Sequence, residues 1–84
     1  MNLEPERELI NKIDTQLIKL FDSRFDLVNV VKKIKKDSNV DIFQPDREKK
    51  ILEQIEQTSK YPEIVKEIFN KIMDESKKLQ CKSE

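Results

Sequence analysis

The sequence predicts an all-α fold, and three observations lead there. The 84 residues contain no Gly at all, and a sheet protein of this size normally needs Gly in its turns. Apolar residues recur three and four apart over three long stretches, the spacing of one helix face. Each stretch opens at one of the three prolines, Pro5, Pro45 and Pro62. Proline suits the first turn of a helix, where its missing N–H has no partner to lose. The remaining composition agrees: 40% charged and 36% hydrophobic, dominated by Lys, Glu, Ile and Leu. Residues 1–84 are expected to form one small domain with a thin core, without an internal repeat.

Helix 1 is expected from Pro5 to Lys36, with Ile10, Ile13, Leu17, Leu20, Phe21, Leu27, Val28, Val31 and Ile34 as its stripe. Asp37, Ser38 and Asn39 favour turns and are expected to end it. Helix 2 is expected from Pro45 to Thr58, with Ile51, Leu52 and Ile55 inward. Helix 3 is expected from Pro62 to Gln80, with Ile64, Val65, Ile68, Phe69, Ile72 and Met73 inward.

The lengths carry an argument about assembly. At the helical rise, the three segments measure roughly 46, 21 and 28 Å. Two short helices folded side by side cannot cover a stripe of the first length. Either helices 2 and 3 lie end to end along helix 1, or a second chain covers the remainder. An intertwined homodimer with the long helices paired is therefore expected. A monomer with a frayed helix 1 is the competing arrangement.

Composition also narrows the chemistry. Positive and negative side chains balance at 17 each, so total charge gives no argument for a nucleic-acid or membrane partner. The run Lys32 to Lys36 is the one basic patch and reads as a solvated helix end. There is no His, which excludes a Ser-His or Cys-His nucleophile and makes a zinc or haem site improbable; no metal or cofactor is expected. The single Cys81 reads as a free thiol in a reducing compartment. Without a spanning apolar run or a signal-like start, the cytoplasm is the default expectation.

Polar residues interrupt the stripes. Arg24 follows Ile13 by nearly three whole turns and shares its face, and Lys35 repeats that step. Glu48 precedes Ile51, Leu52 and Ile55 on helix 2. On helix 3 the series Val65, Phe69, Ile72 continues into Ser76 and Gln80. A structural account is available: helix ends are often polar all round, long cations snorkel to water, and Arg24 and Glu48 could form a purely structural ion pair. The functional account is a pocket. Two cations, an amide, a hydroxyl and one carboxylate suit a small polyanion that also carries a hydroxyl, and Arg binds carboxylates through paired hydrogen bonds. Periodicity alone does not separate the two.

These residues resemble the AroQ-type chorismate mutases, the all-helical class. The likeness starts at RELINKIDTQLIKLFDSR, Arg7 to Arg24, and continues through Lys35 and PDRE, Pro45 to Glu48. It ends with Ser76 and Gln80 and so covers nearly the whole chain. The resemblance implies an intertwined dimer with two equivalent sites that converts chorismate, a dianion, to prephenate on the way to phenylalanine and tyrosine. It implies Arg7 and Arg24 as carboxylate binders, and Lys35 as the contact to the ether oxygen and a carboxylate. Gln80 is implied as the second donor to that oxygen and Glu48 as the acceptor for the ring hydroxyl. Arg47 and Ser76 are implied as supporting contacts. One position departs: Gln44 stands where the family often has Asp, the better helix cap.

Helix geometry adds a point about Arg7. It lies about 25 Å along the axis from Arg24 and about 100° around it. It is therefore expected to enter the partner's pocket rather than its own. Two alternatives stand beside the mutase: an isochorismate-pyruvate lyase, which resembles the same fold, and a non-catalytic helical dimer that senses an aromatic precursor. Val40 to Phe43 are expected to close over the site as a loop.

Overall fold

The computed structural model describes residues 2–38 and 44–81, with the side chains of 36–38 left aside. These residues form three α-helices, α1 (Glu4–Ser38), α2 (Pro45–Thr58) and α3 (Pro62–Cys81). The expected bounds of α2 hold. Helix α1 runs through the expected turn residues Asp37 and Ser38. Extending a formed helix adds one hydrogen bond per residue fixed, and Asp or Ser costs less than about 1 kcal/mol against that. Asn39 and the expected closing loop Val40 to Phe43 lie outside the described residues. Helix α3 runs one residue past Gln80.

The ends follow local chemistry. Asn2 Oδ1 accepts the backbone N–H of Glu4 at 3.1 Å, and Glu4 and Glu6 place negative charge in the first turn of α1. Helix α2 opens with Pro45 at its first position, and Gln44 makes no side-chain cap to it. Its far end is closed by the Ser59 N–H donating to Ile55 O at 2.9 Å. Ser59 Oγ then accepts the Tyr61 N–H at 3.0 Å. That compact turn leads straight into Pro62 and makes α2 and α3 neighbours.

Helix α3 is the element against which both others pack. The buried core of the described residues is small: Ile55 from α2 with Ile72 and Met73 from α3, each less than a tenth exposed. The apolar stripe of α1 is not covered. Every residue from Asn2 to Leu20 is exposed, and Ile13 and Leu20 are 55% and 64% accessible. Ile64 and Ile68, expected inward, are exposed as well, because the stripe of α3 is wider than the faces α1 and α2 offer it. The chain is correspondingly long and thin, 57 × 29 × 15 Å. Its radius of gyration is 16.1 Å, where a compact chain of this length would have about 12 Å. No helix is long and apolar enough to cross a membrane among the described residues.

Ile55 and Ile72 bring α2 and α3 together. Ile55→Ala is expected to cost about 2–4 kcal/mol through lost burial and the cavity left behind. Urea unfolding checks this, and a loss below about 1 kcal/mol would show that the α2–α3 core does not hold the fold.

Candidate functional site

A cleft of about 220 Å³ opens where the second half of α1, the first turns of α2 and the last turns of α3 meet. Arg24, Leu27, Val28, Val31 and Lys35 come from α1; Arg47, Glu48 and Ile51 come from α2, next to Gln44; Met73, Ser76, Lys77 and Gln80 come from α3. Each set follows helical spacing, since residues three and four apart stack on one face. Seven of the eight expected site residues thus line one cleft. Arg7 does not. It sits in the exposed half of α1, 66% accessible, with Glu4 Oε1 3.9 Å from its guanidinium.

Two polar ties join α1 to α3. Arg24 Nη1 donates to Ser76 Oγ at 3.0 Å, and Ser76 Oγ donates to Ile72 O at 2.8 Å. Ser76 is buried, and this chain of bonds uses its hydroxyl as both acceptor and donor. The Arg24 guanidinium also lies over the Phe69 ring, 6.0 Å from its centre. In the second tie, Lys35 Nζ donates to Gln80 Oε1 at 3.1 Å. That bond sets the polarity of the amide: its oxygen faces the ammonium and its N–H₂ remains the donor side. Gln80 Nε2 makes only a long contact, 3.4 Å, to Ser76 O.

The structural ion pair considered for Arg24 and Glu48 does not form. The Glu48 carboxylate instead pairs with Lys77, Nζ to Oε2 at 3.2 Å. Lys77 is the lining cation the sequence reading missed. It follows Ser76 directly and lies four residues after Met73, about 40° from it around the helix. A lysine at the edge of an inward face looks like any solvated one until its partner on another helix is known.

The electrostatics are lopsided. Arg24, Lys35, Arg47 and Lys77 meet one carboxylate, Glu48. Arg24 is held below its ordinary arginine value, first by burial and then by the like charge of Arg47. Two guanidinium groups therefore converge without a carboxylate between them, which favours an anionic occupant. Aliphatic side chains, Leu27, Val28, Val31, Ile51 and Met73, complete the walls. The arrangement can bind a small, partly apolar molecule with more than one negative charge and at least one hydroxyl. Among the described residues there is no cluster of metal-ligating side chains.

The described residues thus form an all-helical domain with a small, cation-rich cleft at the meeting of its three helices. Comparison with known families identifies the class more closely. The chorismate mutase type II model matches residues 6–81, and the chain belongs to that family. No curated protein matches the chain.

Ser76→Ala should remove the hydroxyl that links Arg24 to the α3 backbone. An expected loss of about 1–3 kcal/mol follows from leaving a charged donor short of its partner. Urea unfolding checks it, and an unchanged midpoint would mean that Arg24 is satisfied without Ser76.

Proposed function

We propose that the chain is a chorismate mutase that rearranges chorismate to prephenate in aromatic amino acid biosynthesis. The observation that carries this reading is the Lys35–Gln80 bond, which puts two hydrogen-bond donors side by side in a cleft with Arg24 and Glu48. Membership of the family supports the reaction class.

The rearrangement is intramolecular. The ether C–O bond breaks while a new C–C bond forms, and no atom enters or leaves. The protein has to hold the substrate in its compact reactive conformer and stabilise the charge that grows on the ether oxygen. Lys35 Nζ and Gln80 Nε2 are the donors to that oxygen in this reading, and their contacts strengthen in the transition state, so they act on turnover. Arg24 binds a substrate carboxylate, with Arg47 beside it. Glu48 accepts the ring hydroxyl. Ser76 holds Arg24 in place. Gln44 lines the cleft beside these residues, at the position where an Asp is usual.

The active form in this reading is an intertwined homodimer. Its support is the uncovered apolar stripe of α1, including Leu9, Ile13, Leu17 and Leu20. Pairing two long helices would bury it. An antiparallel pairing also carries Arg7 of each chain toward the other chain's cleft, where it supplies a further carboxylate contact. The cytoplasm is the compartment that suits the reading.

Purified protein incubated with chorismate should form prephenate. Pyruvate from isochorismate would favour the lyase instead, and no turnover of either would favour a sensing module. Gln80→Glu gives a sharper check. A carboxyl group donates only when protonated, so this variant should gain activity as pH falls toward about 4.3; faster turnover at high pH would refute Gln80 as a donor. For the shared site, Arg7→Ala and Arg24→Ala chains are each expected to be weak. Mixed and exchanged, they should recover about a quarter of wild-type activity, one intact site in half of the dimers. Absence of recovery after confirmed exchange would exclude sharing.

A further inference from the structure

The cleft contains one charged residue that the proposed reaction does not use. Lys77 lines it from α3, one position after Ser76, and pairs with Glu48. Its ammonium lies 3.2 Å from Glu48 Oε2 and 3.7 Å from Asp74 Oδ1. Both members of the Lys77–Glu48 pair are about a third exposed or less, at 31% and 26%. Asp74, one turn before Lys77 on α3, holds the ammonium from the other side.

We propose that Lys77 is a positioning residue for Glu48: it holds the carboxylate against the α3 wall so that its second oxygen meets the substrate's ring hydroxyl. This rests on the mutase reading of the cleft. The need for such a tie follows from where Glu48 stands. It is in the first turn of α2, and Gln44 gives that turn no side-chain cap. A glutamate at a helix start has several torsions to choose among, and ordering them costs conformational entropy. Pairing with a cation on a neighbouring helix removes that freedom in the unliganded protein. The bridge occupies one carboxylate oxygen, and the other keeps its acceptor sites for a hydroxyl.

A purely structural role is the natural rival, and the fold supplies its control. Helices α2 and α3 are joined by a second ion pair, Lys66 with Glu56, whose residues are not among those lining the cleft. If Lys77 merely ties the two helices, losing Lys66 should do as much damage. A second rival is direct contact of Lys77 with a substrate carboxylate, in which case its effect does not depend on Glu48.

Steady-state kinetics with chorismate on Lys77→Met, Glu48→Gln, the double variant and Lys66→Met separate these. Lys77→Met is expected to lower kcat/KM about three- to fivefold, the upper part of the range for a partly exposed charge pair. In the Glu48→Gln background the same change should alter it less than about twofold, and Lys66→Met should do no more. Lys77→Arg should recover part of the loss, since it restores the cation. A full Lys77 effect in the Glu48→Gln background, an equal loss from Lys66→Met, or no effect of Lys77→Met would each overturn the proposal. The ligand-free protein provides an arm independent of turnover. The carboxyl carbon resonance of Glu48 should shift in Lys77→Met and stay in place in Lys66→Met. An unmoved resonance rejects the positioning role even if the wild type is active. A wild type that leaves chorismate unchanged rejects the mutase reading while this arm still decides the role of Lys77.

Discussion

Everything in this chain depends on the long helix being held to α3 by charge. Helix α1 contributes no residue to the buried apolar core, which comes from α2 and α3. Among the described residues α1 meets the rest through half-buried contacts around Phe21, Phe25 and Val28, the Arg24 guanidinium over the Phe69 ring and two charge-assisted hydrogen bonds, Arg24 to Ser76 and Lys35 to Gln80. Bonds of this kind are stronger than neutral ones, yet partly buried charges pay desolvation to make them. The groups that hold the helices in register are thus the groups that face the cleft. Fold and site are not separable here. A substitution in the cleft loosens α1, and a ligand that engages the same cations tightens it.

The second constraint is length. A helix of 35 residues beside partners of 14 and 20 leaves apolar surface that one chain cannot cover. Soluble monomers rarely expose contiguous apolar patches beyond a few hundred Å². Exposed apolar residues of α1 run from Leu9 to Leu20 and again from Leu27 to Ile34. Polar residues of α1 divide accordingly: Arg24 and Lys35 lie in the half that meets α3, Arg7 in the half whose described residues are exposed. The proposed dimer makes use of both halves with one geometric operation, and it removes the surplus surface and the stray arginine together.

Much of this was legible in the sequence, for identifiable reasons. The three prolines and the three-and-four spacing placed the helices, because both signals are local and neither depends on tertiary contacts. The inward polar residues were legible for the same reason: Ser76 and Gln80 continue a stripe begun by Phe69 and Ile72. The end of α1 was misjudged because Asp37 and Ser38 favour turns only weakly against helix propagation. Ile64 and Ile68 were placed inward because periodicity identifies an apolar face without saying whether the same chain covers it. Lys77 was missed because its significance lies in its partner on another helix, Glu48. The pairing of Glu48 with Lys77 rather than Arg24 is likewise a matter of tertiary geometry.

That pairing bears on how the cleft can carry so much positive charge when empty. Burial first, and then the like charge of Arg47, already lower the Arg24 value, and Lys35 comes from the same helix, α1. A fourth cation with no counter-charge would add to the repulsion and pull the α2 and α3 walls apart. Lys77 instead arrives with a carboxylate on each side, Glu48 from α2 and Asp74 from its own helix. The cation is neutralised locally, apart from the cations Arg24, Arg47 and Lys35 that also line the cleft. A dianion seated among them relieves repulsion as well as gaining contacts. In the proposed reading a hydroxyl on the same molecule meets Glu48. In the proposed reading the cleft is asymmetric: Arg24 and Lys35 of α1 and Arg47 of α2 offer positive charge and Glu48 offers an acceptor, so a ligand that carries both negative charge and a hydroxyl has a preferred orientation.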